Sequence, residues 1–219
     1  MRTNYLILYF TAFAGMPAFI SAQVVNLDNG IRLVAQGPVN LVINEGGLKN
    51  DGIFKADSST VIFDGGPTSA ISGTNAISFH NLSFRGTGSK VNSGDASVTN
   101  TLAVENSTVL DADGTSNDKS FTLKSSDTAT ANVDILTTGN IIGNITVERF
   151  INTGTNTGQH AKSWQFLATP TTGQSYFQSW QEWGLTPTGY GTWLTGTGSG
   201  FDVTTALPSI KFYDQLTST

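Results

Sequence analysis

The stretch Ala76–Phe84, with the sequence AISFHNLSF, shows the pattern on which the fold prediction depends. Apolar and polar residues alternate in Ala76-Ile77-Ser78-Phe79 and again in Asn81-Leu82-Ser83-Phe84, with His80 between the two runs. Alternation with a period of two predicts short β-strands that turn one face toward a core. We therefore predict two short strands in this stretch.

The same pattern extends outward in both directions, from Val39 to about Ile151. Gly, Asn, Asp and Ser separate the runs, and no segment of this region shows a helical period. The other predicted strands are Val39–Ile43, Gly52–Ala56, Ser59–Phe63, Asn100–Val104, Thr108–Leu110, Ser120–Leu123, Ala131–Ile135 and Asn144–Glu148. The sequence thus predicts an all-β fold.

Two all-β architectures fit a run of short strands with tight turns. One is a parallel β-helix, or β-solenoid, in which each coil contributes two or three strands and the next coil stacks on it. The other is a β-sandwich. Sparse charge and recurrent Asn and Thr at strand ends favour the solenoid, because Asn forms side-chain ladders and tolerates left-handed turns.

The composition excludes several classes of protein. Only 12% of the 219 residues are charged, about half the usual share, with 11 Lys and Arg against 16 Asp and Glu. This acidic balance argues against a nucleic-acid partner, and the absence of cysteine excludes a disulfide scaffold. Thr, Ser and Asn together supply close to a third of the chain, which is not the composition of a helical bundle.

Residues 1–22, MRTNYLILYFTAFAGMPAFISA, match a secretory signal peptide. Arg2 supplies the positive start, Tyr5–Phe19 forms the apolar region, and Ser21 and Ala22 are small residues before the expected cleavage site. The apolar run is shorter than the roughly 20 residues that a membrane span needs. We expect a secreted or outer-surface protein with no transmembrane segment after cleavage.

The composition changes near Glu148, which divides the mature chain into two parts. We predict a solenoid over residues 23–151 and a small, aromatic-rich β module over residues 152–219. The chain ends soon after a predicted strand at Ser209–Tyr213. We therefore expect the module to be incomplete and the chain to be a fragment of a longer polypeptide.

Several motifs occur in a characteristic order. They are Gly143–Ile151 (GNITVERFI), Trp164–Pro170 (WQFLATP), Ser179–Glu182 (SWQE), Gly191–Gly196 (GTWLTG) and Gly200–Asp202 (GFD). In this order they resemble a module of large secreted and cell-surface proteins of the Bacteroidetes type, which typically carry a C-terminal sorting domain for type IX secretion. Upstream, Phe54–Ala56 and Ser59–Gly65 resemble the β-helical repeats that often precede this module.

The resemblance covers roughly residues 39–219. It implies a secreted or cell-surface location but no particular activity. It implies no catalytic residues, since the motifs define none. The sequence departs from the family in that no sorting domain follows Thr219, which fits the expectation of a fragment and leaves surface attachment open.

The best metal candidate is the segment from Asp111 to Asp118. Calcium takes six to eight oxygen ligands, and Asp111, Asp113, Asn117 and Asp118 can supply several of them around a glycine turn. The segment lacks the full EF-hand pattern, so an Asp/Gly/Asn turn between two strands is the alternative interpretation. We predict no other cofactor.

Trp164, Trp180, Trp183 and Trp193 are all the tryptophans of the chain, and they occur close together in the predicted module. An exposed aromatic platform stacks on sugar rings, so these residues are candidates for binding an extracellular glycan. The alternative is core packing, since each ring buries about 150–250 Å².

Catalytic chemistry has weaker support. Polysaccharide-active β-helix enzymes need carboxylates grouped on one face, whereas Asp57, Asp64, Asp95, Glu105 and Asp134 are scattered along the sequence. The histidines, His80 and His160, have no nearby nucleophile of the kind a triad requires.

The sequence therefore predicts an exported, non-catalytic structural or adhesin-like protein, whose partner is an extracellular glycan or a surface protein. A carbohydrate-binding module and a polysaccharide-active enzyme remain as alternatives. The ligand and the oligomeric state are left open.

Overall fold

The computed structural model describes residues 24–66, 68–105, 107–150, 195–196 and 208. The described part of the chain contains β-strands and no α-helix. The strands are β1 (Val25–Leu27), β2 (Arg32–Val34), β3 (Asn40–Asn44), β4 (Leu48–Asn50), β5 (Ile53–Lys55), β6 (Thr60–Asp64), β7 (Thr68–Ser72), β8 (Ile77–Phe84), β9 (Gly88–Asn92), β10 (Ala96–Val104), β11 (Thr108–Asp111), β12 (Phe121–Leu123), β13 (Asn132–Val133), β14 (Asn140–Ile142) and β15 (Thr146–Val147).

These strands stack in parallel as a β-solenoid of about six turns. One sheet has the order β1-β4-β7-β9-β11-β14, and a second has the order β15-β12-β10-β8-β6-β3, with β13 also paired to β10. A third, two-stranded sheet joins β2 to β5. Each strand in these orders pairs in parallel with a strand from a neighbouring coil, so the prediction of a parallel β-helix is confirmed and the β-sandwich alternative is wrong.

The length of a coil can be read from the register of the ladders. Leu48 pairs with Val25 of the preceding coil, and Thr108 likewise pairs with Gly88. In the last coil the number of residues between Val109 and its partner Asn140 is about half as large again as in these two coils. The extra residues of this coil lie in the segments 112–120 and 124–131, which leave the strands and form turns.

Alternation along the strands places the core inside the coils. In the column Phe63–Phe84 the two rings stack with centroids 5.3 Å apart, and the Phe54 and Phe79 rings approach to 5.7 Å in a tilted arrangement. Both members of the first pair, and Phe79, are essentially unexposed. Burying large side chains of this kind contributes about 1.5–3 kcal/mol each relative to leaving them exposed.

Outward positions of the same strands carry a polar ladder. Asn40, Thr60, Asn81, Thr101 and Asn132 occupy one register column across five coils. Within it the Asn81 Nδ2 donates to Thr60 Oγ1 at 3.3 Å, and the neighbouring Asn100 Nδ2 donates to Asn81 Oδ1 at 2.7 Å. Asn and Thr therefore alternate along this column, and one hydrogen bond between two asparagines joins Asn100 of the neighbouring position to Asn81.

The stretch on which the fold prediction depended forms one strand rather than two. Strand β8 runs without a break through His80, and the alternation changes phase there, so that both Phe79 and Leu82 are buried. The paired strand β10 shows a register shift between Val98 and Thr101. The pairing of β8 with β10 resumes after this shift.

The chain divides into two compact units, Met1–Phe150 and Ile151–Thr219. The solenoid belongs to the first. The predicted signal peptide, residues 1–22, lies outside the described residues, and so does nearly all of the predicted module over residues 152–219. In the described ranges no helix is long and apolar enough to span a membrane.

Candidate functional site

Charged side chains gather at one corner of the solenoid, where the chain leaves β3, β6, β8 and β10. Asn44 pairs with Asp64, and the same register continued for one residue places Arg85 and Glu105 next in that column. We call Glu45, Asp64, Arg85, Lys90 and Glu105 the charged corner. Asp64 and Glu105, which looked scattered in the sequence, thus lie in one column two coils apart, on either side of Arg85, because their separation is close to two coil lengths.

An ion pair lies at the centre of the charged corner. Arg85 Nε lies 2.7 Å from Asp64 Oδ2, and the backbone N–H of Gly65 donates to Asp64 Oδ1 at 2.8 Å. The Gly65 hydrogen bond is the main cause that lowers the pKa of Asp64, with further contributions from Arg85 and Lys90. Because both side chains are about a third exposed, the pair contributes no more than about 1 kcal/mol to stability.

Lys90 is one of three residues of the charged corner, with Glu45 and Arg85, that sequence reasoning missed. It faces inward from β9, with no exposed surface. Its Nζ donates to the carbonyl oxygens of Gly66 at 2.7 Å and Gly65 at 3.4 Å, in the turn of the preceding coil. Burial lowers the pKa of Lys90, and the charges of Asp64 and Glu45 oppose that shift. The one feature of the sequence that could have indicated an inward Lys90 is its position between Ser89 and Val91, which both point outward from β9.

Glu105 completes the charged corner on the next coil. Its Oε1 accepts a hydrogen bond of 2.9 Å from Ser83 Oγ, and Ser83 is itself only 8% exposed. Asp64 and Glu105 are therefore each held by a donor from a neighbouring coil. Where a carboxyl pKa shift is resolved in the described chain, at Asp51 and Asp64, the pKa is lowered, the direction produced by ion pairing and hydrogen bonding.

The predicted calcium ligands occupy the turn that follows β11. Asp111 ends that strand, and Asp113 is buried, with Oδ2 accepting hydrogen bonds of 2.8 Å from both the backbone N–H and the Nδ2 of Asn144. Asn117 adopts a left-handed conformation with φ of 52°. Asp118 pairs with the adjacent Lys119 at 3.1 Å.

These four residues have different surroundings. Asp113 is bound to the last coil, whereas Asp118 is exposed and paired with a lysine. Within the ranges that the structure describes, no group of three or more His, Cys, Asp or Glu side chains is placed to hold a metal ion. Calcium binding by this turn stays a prediction.

The remaining candidate acids stabilise turns. Asp57 accepts the backbone N–H of Gly37 at 2.8 Å, and Asp95 accepts the hydroxyl of Ser120 at 2.8 Å. Asp134 accepts the backbone N–H of the next residue, Ile135, at 2.8 Å. Each of these carboxylates therefore bonds to a turn or to a neighbouring coil.

The other candidates divide between described and undescribed residues. His80 lies beside Thr99, whose hydroxyl is 3.4 Å from the ring Nδ1. His160 and the proposed sugar platform of Trp164, Trp180, Trp183 and Trp193 lie outside the described residues.

The fold defines the class of this protein as an all-β parallel solenoid with a hydrogen-bonded charged corner. Comparison with known proteins adds no family to that class: no family model, no curated protein and no solved structure matches the chain.

Proposed function

We propose that this chain is an exported, non-catalytic structural protein that is secreted or held at the outer cell surface, where it acts as a stalk or adhesin-like passenger. The observation that carries the proposal is the solenoid itself, in which stacked coils build length without cysteine. Solenoids form extended surfaces from short-range contacts between neighbouring coils. In support, the charges at the centre of the described corner are bonded to one another or to the backbone.

Export rests on residues 1–22. The test is to express the chain in a Gram-negative host and to identify the N-terminus of the product in the periplasmic and extracellular fractions by mass spectrometry. We expect a product that begins at Gln23. A Leu8→Arg variant, which places a charge in the apolar region, is the matched control and should stay inside the cell uncleaved. Retention of the unaltered chain with an intact leader would contradict export.

Membership of the type IX class rests on the motif order from Gly143 to Asp202. Sequencing the coding region downstream of Thr219 tests it directly. A sorting domain there supports the assignment. A stop codon immediately after Thr219 contradicts both that assignment and the expectation of a fragment.

Carbohydrate binding is the second candidate, favoured by the concentration of all four tryptophans in residues 164–193. It predicts binding on a glycan array that is lost in Trp183→Ala or Trp193→Ala, while the unfolding midpoint stays unchanged. A polysaccharide-active enzyme is the third candidate. It predicts turnover of a uronate polymer that an Asp64→Asn change abolishes, and the structural proposal predicts neither result.

A further inference from the structure

The exposed large apolar side chains of the described solenoid are confined to its two ends. Toward the start they are Val24, Ile31, Val34, Val39, Val42 and Ile53, and toward the end they are Ile135, Leu136, Ile142 and Phe150. The intervening described coils expose none of this kind. Clustered exposed apolar side chains mark surfaces that another molecule covers.

The first coil, defined here as residues 24–44, also has an incomplete core. Its inward side chains Val25 and Leu41 are only partly buried, although their register partners in the second coil, Leu48 and Val61, have no exposed surface. The difference arises because the second coil is covered on both sides. One more layer on the first coil would bury the same positions fully.

Hydrogen-bonding groups of the first coil point toward this open side. Strands β1, β2 and β3 are each the last strand of their sheet in the described chain. Just before and just after β3, the Val39 carbonyl accepts from the backbone N–H of Thr60, and the N–H of Glu45 donates to the carbonyl of Asp64, so alternate residues bond to the second coil. The intervening residues, Asn40, Val42 and Asn44, direct their N–H and C=O groups to the open side.

The first coil carries few of the charges that usually prevent edge pairing, although β1 and β2 are short and Pro38 precedes β3. Its three strands contain a single charged residue, Arg32, whereas natural edges are blunted by lysines, inward charges or bulges. With Asp28, the first coil has a net charge of zero, although the chain carries −5. Two copies of this surface therefore approach without like-charge repulsion.

We propose that the first coil is a homodimer interface, in which a second copy of this chain stacks its own first coil head to head on the open side. The first coil offers three strand edges at once, and a partner that pairs with all three must offer three edges in the same arrangement. The first coil of a second copy is a surface of this kind. A two-fold axis perpendicular to the solenoid reverses the strand direction, so the apposed strands pair antiparallel, the slightly more stable mode.

The size of the surface agrees with this proposal. Standard interfaces use about 20–30 residues from each partner, and the first coil supplies residues 24–44, at the lower end of that range. The interface rests on the proposed removal of residues 1–22, which precede the first coil, and the leader-free protein lets the two proposals fail separately.

Disulfide trapping tests the geometry, and the chain is suited to it because it has no cysteine. Single cysteines are introduced in turn at Asn26, Val34 and Val42, one on each strand of the first coil, in the leader-free protein. In a two-fold stack one strand lies opposite its own copy, and the residue nearest the axis has a Cα separation from itself of about 4.5–5.5 Å, which suits a disulfide. We expect at least one variant to form a covalent dimer under mild oxidation. Ser97→Cys, on the side of an interior coil, is the matched control and should remain monomeric.

Sedimentation equilibrium tests the strength of the interface. The unaltered protein should have twice the monomer mass at micromolar concentration. Val42→Pro removes an N–H that faces the open side, which is where proline is tolerated in an edge strand, and should raise the dimer dissociation constant about tenfold or more. Val42→Thr keeps that N–H and should remain a dimer.

Circular dichroism checks that Val42→Pro folds, and the cysteine variants decide the question if it does not. A monomer at every concentration, or equal cross-linking of Ser97→Cys and the first-coil cysteines, would overturn the proposal. Assemblies larger than a dimer would overturn the head-to-head arrangement, since only head-to-tail stacking continues into a fibre.

Discussion

Lys90 Nζ lies 2.7 Å from the carbonyl oxygen of Gly66, in the interior of a solenoid whose other large, fully buried side chains are apolar. The register partner of Lys90 in the next coil is Leu110, which is also fully buried. The lysine thus takes a place in a column of inward side chains and uses its amino group to satisfy a turn. At this position a hydrogen bond between successive coils replaces an apolar contact between inward side chains.

Replacing Lys90 by alanine should destabilise the solenoid. The change removes the packed stem and leaves the Gly66 carbonyl without this donor, so we expect a loss of about 3 kcal/mol in the free energy of unfolding. Urea unfolding followed by circular dichroism measures it. Ser89→Ala, at the adjacent exposed position, is the control and should change stability by less than about 0.5 kcal/mol. Equal effects of the two changes would contradict a structural role for the buried amine.

The same residue makes stability depend on alkaline pH. Burial lowers the pKa of folded Lys90 below its ordinary value of 10.5, so between the two pKa values the unfolded chain binds more protons. Stability therefore rises with pH in that window. The difference in unfolding free energy between the unaltered protein and Lys90→Met should shift in favour of the lysine as pH rises to 10.5. A difference that stays flat, or that falls, would show that the folded pKa is not lowered.

Asp51 makes the free energy of unfolding depend on pH in the acidic range. Hydrogen bonds from Lys49 and then from the backbone N–H and hydroxyl of Thr74 lower the pKa of Asp51 to about 2. Its contribution is complete above the ordinary pKa of 3.8 and is lost as pH falls from there toward 2. The stability advantage over Asp51→Asn should shrink across that interval in urea unfolding. Asp127→Asn, at an exposed turn position, serves as the comparison, and an advantage of Asp51 independent of pH would refute the assignment.

Gly86 should not tolerate a side chain. Its φ is 94°, a left-handed value, and a Cβ would collide with the carbonyl oxygen of Gly65 in the preceding coil. Gly86→Ala should therefore cost at least about 2 kcal/mol. At Gly66 the described residue nearest to an added Cβ is Glu45, whose Oε1 lies at an ordinary 3.7 Å, so Gly66→Ala should be nearly neutral. Thermal unfolding of the two variants compares them, and similar melting temperatures would argue against close stacking of the Gly65 and Gly86 turns.

The sequence predicted strands of the sheet that contains β6, β8 and β10 well. It missed β4, β7 and β9 of the other large sheet. Alternating apolar runs such as Ser59–Phe63 and Asn100–Val104 correspond to observed strands β6 and β10. Strands β4, β7 and β9 gave no signal, because segments such as LKN and GSKVN have few apolar residues. They are strands because the parallel ladders on either side hold them extended, which is a tertiary effect.

The candidate sites divide in the same way. Asp113 was named from its acidic turn, but its bond to Asn144 depends on a later coil that returns to this turn. The charged corner was not predicted, since Asp64, Arg85 and Glu105 are neighbours only when the coil length is known. The one sequence signal for the charged corner is that its charged residues recur at a spacing of one coil length.

By itself the sequence determined that the chain is all-β, cysteine-free and built from short strands, because alternation and turn residues act over a few positions. The predicted signal peptide and the resemblance to secreted proteins are the basis of the proposed location. Only the tertiary structure decided the coil length, the inward turn of Lys90, the Asp64–Arg85 pair and the open edge of the first coil. Each of these depends on which residues meet across successive coils, and no local preference specifies that register.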